Sequence, residues 1–149
     1  MKKFLLTVSI LFLTVFLYSE EFIIPDFTKD FNEIIMEYVQ KGYKSEYFPG
    51  GKFYVFIPKE LYIRDNEIKK IEISDTNYFC YLKLFFDTEE ELWKSFIELS
   101  IKNNMDIGYE SYEKQYEAEK NNLRIKATES LKRIDITYTK QNLYLFISD

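Results

Sequence analysis

YFCYLKLFFDTEEELWKSFIELSI, residues 78–101, carries the clearest structural instructions in the chain. Its first nine residues alternate. Cys80, Leu82, Leu84 and Phe86 fall on one side, and Phe79, Tyr81, Lys83 and Phe85 on the other, as a period of two requires in a strand. The first set is wholly apolar and is expected to face a core. The second is aromatic with one lysine, which fits a partly covered face. Asp87 and Thr88 break the alternation. Thr88 followed by Glu91 is a capping-box sequence, in which each side chain reaches the other's backbone N–H. Leu92, Trp93, Phe96, Ile97 and Ile101 then recur at helical spacing and read as one buried stripe. Asn103 and Asn104 are suited to stop the helix. A strand running directly into a helix that packs back on the sheet is the expected centre of the domain.

Upstream, Phe27, Phe31, Ile34, Ile35, Tyr38 and Val39 form a second helical stripe, with Asp26 as N-cap and Gly42 as terminator. The expected helices are therefore residues 27–41 and 88–104. Between them, residues 43–48 and 52–57 read as strands around Pro49-Gly50-Gly51, a sequence that fits a type II turn. Both faces of 52–57 are apolar, which predicts an interior strand. Residues 61–66 read as a connection, and 68–74 as a strand with Ile71 and Ile73 facing inward. Residues 105–108 read as a connector and 109–119 as a strand, with a helix as the alternative. Alternation at Leu123/Ile125/Ala127, Ile134/Ile136/Tyr138 and Leu143/Leu145/Ile147 predicts a terminal meander, with turns at Asn121-Asn122 and Gln141-Asn142. The fold class expected is α+β: a mainly antiparallel sheet of about six or seven strands with two amphipathic helices on it.

The chain of 149 residues accommodates a single domain. Residues 1–19 are read separately. Lys2 and Lys3 precede an apolar run over residues 4–18, and Ser19, Glu20 and Glu21 open a polar chain. This reads as a secretory signal peptide cleaved after Ser19. Leu17 stands where a small residue is preferred. The alternative is an uncleaved anchor, although the run falls short of the roughly 20 residues a bilayer span needs. Residues 20–149 are then the α+β domain of a periplasmic or secreted protein, with no membrane span after cleavage. Loss of Lys2 and Lys3 moves the net charge from −5 to −7, which argues against nucleic acid and anionic membranes as partners.

Cys80 is the single cysteine, so an exported chain of this kind has no internal disulfide and relies on its core. The absence of histidine excludes Ser–His–Asp and Cys–His nucleophile systems and removes the commonest general base. The sequence contains no phosphate-binding glycine loop, no dinucleotide fingerprint and no EF-hand spacing. No catalytic residue, metal ligand or cofactor is assigned. Glu89, Glu90 and Glu91 are explained by the helix N-terminus, and Glu110, Glu113, Glu117 and Glu119 by a solvated face.

What remains is the aromatic content, 19% of the chain with 13 tyrosines. Tyr43, Tyr47, Tyr54, Tyr81, Tyr109, Tyr112, Tyr116 and Tyr144 are expected mostly on strand faces opposite the core. Tyrosine offers flat area and a hydroxyl, and is enriched at interfaces. The binding residues singled out are Tyr81, Phe85, Tyr109, Tyr112 and Tyr116. The functional expectation is a non-enzymatic binding module of the bacterial envelope that holds a protein or glycan partner on an aromatic sheet face. The alternatives are a carboxylate-dependent hydrolase of envelope polymers and a membrane-tethered accessory protein.

Overall fold

The computed structural model describes residues 19–110 and 115–140. Most of the expected signal peptide, Tyr112, Tyr144, the Gln141-Asn142 turn and the strand expected over residues 143–147 lie outside the described residues. The architecture is α+β. In chain order the elements are β1 (Glu20–Glu21), α1 (Phe31–Gln40), β2 (Lys44–Phe48), β3 (Phe53–Ile57), β4 (Leu61–Ile63), β5 (Asn66–Glu67), β6 (Lys70–Asp75), β7 (Phe79–Phe85), α2 (Glu89–Lys102), β8 (Asp106–Glu110), β9 (Gln115–Lys120), β10 (Leu123–Thr128) and β11 (Arg133–Thr139), with a 3-10 turn at Glu129–Leu131 before β11. Eight strands form one antiparallel sheet in the order β2-β3-β6-β7-β11-β10-β9-β8, and β1-β4-β5 form a small second sheet.

The central strand and helix take the form their sequence dictates. In β7, Cys80, Leu82 and Leu84 are buried, whereas Phe79, Tyr81, Lys83 and Phe85 are half-buried on the other face. The capping box of α2 is complete: the Glu91 N–H donates to Thr88 Oγ1 at 3.2 Å, and the Thr88 N–H donates to Glu91 Oε2 at 3.0 Å. At the other end Asn103 is the C-cap and Asn104 turns into the left-handed region at φ 51°.

One face of the large sheet carries both helices. Phe56, Ile71, Ile73, Leu82, Leu84, Ile125, Ile134 and Ile136 are fully buried there with Ile34 of α1 and Leu92 and Phe96 of α2. Phe31 and Tyr38 of α1 meet Tyr54 and Phe56 of β3, with ring centroids 6.2 and 5.1 Å apart. The second helix lies against β10 and β11 and touches β4 and β5. Buried Ser95 and Ser100 give that helix two small positions, and Ser100 Oγ donates to the Phe96 carbonyl at 2.8 Å. The small sheet closes one end. Glu20 N donates to the Glu60 carbonyl at 2.9 Å, and Phe22 N to that of Tyr62 at 2.7 Å, which buries Phe22.

Several sequence expectations shift. The first helix starts at Phe31, not at 27, because Asp30 rather than Asp26 is its cap: Asp30 Oδ1 accepts from the Asn32 N–H at 2.8 Å. Asp26 Oδ1 is already taken by the N–H and hydroxyl of Thr28, at 3.0 and 2.6 Å. Phe27 nevertheless stays buried. The β2–β3 turn is not type II. Four residues, 49–52, bridge the Phe48–Phe53 pair, and the left-handed residue is Lys52 at φ 52° rather than Gly50. Gly51 leaves room for a neighbouring ring: a Cβ there would lie 2.4 Å from the Phe53 side chain, which would have to shift. Residues expected as a connection form β4 and β5, and those expected as a connector begin β8. Residues 109–119 are not one strand. Tyr109 pairs with Tyr116 across a hairpin.

Candidate functional site

The second helix exposes more apolar surface than one stripe allows. Leu92, Phe96 and Leu99 are buried, but Ile97 is 47% and Ile101 65% exposed. The five residues read as one stripe are therefore two. Positions 92, 96 and 99 face the sheet, and positions 93, 97 and 101, each four residues apart, run along the helix flank. That flank looks over the β8–β9 hairpin. Antiparallel pairing sets Tyr109 opposite Tyr116 and Ile107 opposite Ala118, on the same face as the buried Ile125 and Ala127 of β10. Ala118 is fully buried, and its small side chain lets the sheet surface dip between larger neighbours.

The result is a groove of about 690 Å³ lined by Trp93, Phe96, Ile97, Ile107, Tyr109, Tyr116 and Glu129. Trp93 stands nearly perpendicular to Tyr116, at 86° and 4.9 Å between centroids, and Tyr116 lies 4.7 Å from Tyr109. Trp93 Nε1 donates to Glu129 Oε1 at 3.3 Å, which fixes the indole edge at one end. Tyr109 is 54%, Ile107 47% and Tyr116 40% exposed. Large apolar side chains gathered in this way, rather than scattered singly, are the feature that marks an interaction surface.

Among the described residues the opposite sheet face has no helix on it, and its character is different. Direct cross-strand neighbours there include Glu72 with Lys83, Lys83 with Asp135, Asp135 with Lys126, and Lys126 with Glu117. Charge alternates from strand to strand, the arrangement that stabilises a polar sheet surface. Arg133 donates to Asp135 at about 3 Å, and Lys70 to Glu72 at 2.8 Å. A depression of about 530 Å³ opens among Tyr81, Lys83, Lys126, Thr128, Arg133, Asp135 and Thr137. Asp135 is the carboxylate lining it among the described residues, and Arg133 and Thr128 already engage it.

The five residues singled out by sequence thus divide. Tyr109 and Tyr116 come together in the groove on the helix side. Tyr81 lines the charged depression on the opposite face. Phe85 shares Tyr81's face and lies beneath the Lys70 ammonium at 3.7 Å from the ring centroid. Tyr112 lies outside the described residues. The expectation that most tyrosines stand opposite the core is corrected. Tyr43 is itself buried, and Tyr47 and Tyr54 pair on the helix side at 4.6 Å. Alternation tells which residues share a face, but not which face the helices cover. Trp93, Ile97 and Ile107 were missed. The signal for the first two was present: α2 has more apolar positions than one buried stripe holds.

Cys80 is buried, and burial pushes its thiol up to about 12, with Asp75 adding to the effect. Among the described residues, no group of His, Cys, Asp or Glu is arranged to hold a metal ion, and no helix is long and apolar enough to cross a membrane. No protein-family model, curated protein or solved structure matches the chain.

Proposed function

We propose that this chain is an exported, non-catalytic binding module of a bacterial envelope, and that its working surface is the groove between α2 and the β8–β9 hairpin. The observation that carries this reading is the second apolar flank of α2, with Ile97 left about half in water in a groove shared with Tyr109 and Tyr116. An apolar surface of this kind costs stability in isolation and repays that cost when covered. The occupant is a protein rather than a glycan. Sugars stack on flat aromatic platforms, whereas Trp93 and Tyr116 meet at 86° and aliphatic Ile97 and Ile107 fill the space beside them. That shape suits apolar side chains.

The alternative of a carboxylate-dependent hydrolase needs two carboxylates held at a defined separation across a cleft. The depression on the charged face offers Asp135, held by Arg133, and this favours the binding reading.

The test uses the chain's single tryptophan, which lies in the groove. An environment-sensitive anilinonaphthalene dye added to the purified protein should accept excitation energy from Trp93. The double substitution Tyr109→Ser with Tyr116→Ser should abolish that transfer and leave the thermal midpoint within a few degrees of the wild type. No transfer in the wild type, or unfolding of the double variant, overturns the reading.

A further inference from the structure

The binding reading leaves open what kind of protein segment enters the groove, and the neighbouring sheet edge bears on this. β8 closes the large sheet on that side and, among the described residues, pairs only with β9. One row of its backbone N–H and C=O groups therefore faces outward beside the groove, a template for another strand. The two edges of the sheet differ. On β2, Tyr47 and Phe48 lie against Tyr54 and Phe53 of the next strand and stay exposed, lining no groove with a helix among the described residues. On β8, Ile107 and Tyr109 enter the groove, and Gly108 has open space where a Cβ would project.

The opposite side of this edge carries charge. Asp106 stands directly across from Glu119, and like charges in that position repel. Glu119 has Arg124 at 3.6 Å, whereas among the described residues no cation lies within ion-pair distance of Asp106. A strand beside β8 would set its own side chains about 5 Å from those of β8, alternately over the groove and over Asp106.

We infer that β8 takes an extended segment of a partner protein as an added strand. Its apolar side chains at alternate positions enter the groove beside Tyr109 and Ile107, and its intervening Lys or Arg side chains lie over Asp106 and Glu119. This inference rests on the binding reading and narrows it to strand addition by a segment of alternating basic and apolar residues. The acidic chain, net −5, favours such a partner over a second copy of itself.

The experiment titrates purified protein with a synthetic peptide of about seven residues, a usual strand length, alternating Lys with Val and Ile. It is followed by Trp93 fluorescence and by amide exchange at β8. The Lys peptide should bind, and its Glu counterpart should bind about ten-fold or more weakly, the effect of turning two cross-strand attractions into repulsions. Asp106→Lys, an exposed change expected to leave the thermal midpoint intact, should narrow or invert that preference. Outward-facing β8 amides should become protected on binding.

Equal binding of the two peptides overturns the inference. So does undiminished binding of peptides N-methylated at alternate positions in both registers, or a failure of every peptide to bind. A β8 edge already filled in the free protein, by a second copy seen in sedimentation or by residues 141–149 seen in cross-strand contacts, also overturns it. If peptides fail while the dye still receives energy from Trp93, strand addition falls and the groove reading stands. If neither binds, both fall.

Discussion

Alanine substitutions at Leu99 and Ile97 separate the two flanks of α2, because these residues lie on one helix yet differ sharply in surroundings. Leu99 is 2% exposed in the core, whereas Ile97 is about half in water. Leu99→Ala loses the transfer free energy of the removed carbons and leaves a cavity, which together cost about 2–5 kcal/mol. For Ile97→Ala the estimate is smaller. Complete burial of such a side chain is worth about 1.5–3 kcal/mol, so half-burial puts about 1 kcal/mol at stake. The higher helix propensity of alanine returns roughly 0.4 kcal/mol of that, for a net cost near 0.5 kcal/mol. Equilibrium urea unfolding measures both. With the slope unchanged, Leu99→Ala should lower the midpoint by about 1 M or more, and Ile97→Ala by a few tenths of that. Equal losses would refute the two-flank description: Ile97 would then be a core residue, and the groove would be filled in the isolated protein.

Three further outcomes follow from local features. Thr88→Ala removes the hydroxyl arm of the capping box, leaving the residue-88 backbone N–H to Glu91, and should cost about 1 kcal/mol, a fall of roughly 3–5 °C in the thermal midpoint, with Thr88→Ser restoring most of it. Burial raises the pKa of Cys80, Tyr38 and Tyr43, and for Tyr43 the hydrogen bond to Glu20 adds to it. The fold therefore favours their neutral forms. Their contribution to stability is complete below the unfolded-state values near 9 and 10 and declines as pH rises through Cys80's value of about 12. Chemical denaturation at pH 8, 9.5 and 11 should show this fall, and iodoacetamide should label Cys80 at pH 8 only in denaturant; rapid labelling of the folded protein would contradict the burial. Gly51→Ala forces a Cβ against the Phe53 ring and should disturb the Phe53–Phe48 stack, lowering stability by about 1 kcal/mol, as thermal unfolding would register.

Features encoded within a few residues were the legible ones. The Thr88–Glu91 box and the alternation of 79–85 need no distant partner, and both appear as read. The start of α1 was ambiguous because Asp26 and Asp30 are equally able caps, and the choice lies in Asp26's competing bonds to Thr28. β8 escaped notice because Gly108 in Asp106–Glu110 resembles a loop signal; in a strand, glycine weakens the local pattern without preventing pairing. The site depended on longer-range information. Antiparallel pairing of β8 with β9 puts Tyr109 and Tyr116 side by side, whereas reading 109–119 as one strand placed them on opposite faces. Whether Ile97 faces core or water depends on where the helix flank meets the sheet, which periodicity leaves undetermined.

The strand order has a consequence for how the molecule assembles. Strands β2, β3, β6 and β7 join through near neighbours in sequence, and β8, β9, β10 and β11 do the same. A single ladder, β7 with β11, seals these halves, pairing Phe85 with Arg133 and Phe79 with Thr139 across the whole of α2 and the hairpins beyond it. Loop-closure entropy is concentrated at that seam. The seam then sets the pace of folding: the halves zip locally and wait for each other. In stopped-flow refolding, Ile136→Val in β11 should slow the main phase, while Ile73→Val in β6 should chiefly speed unfolding. The reverse assignment would place the barrier inside one half.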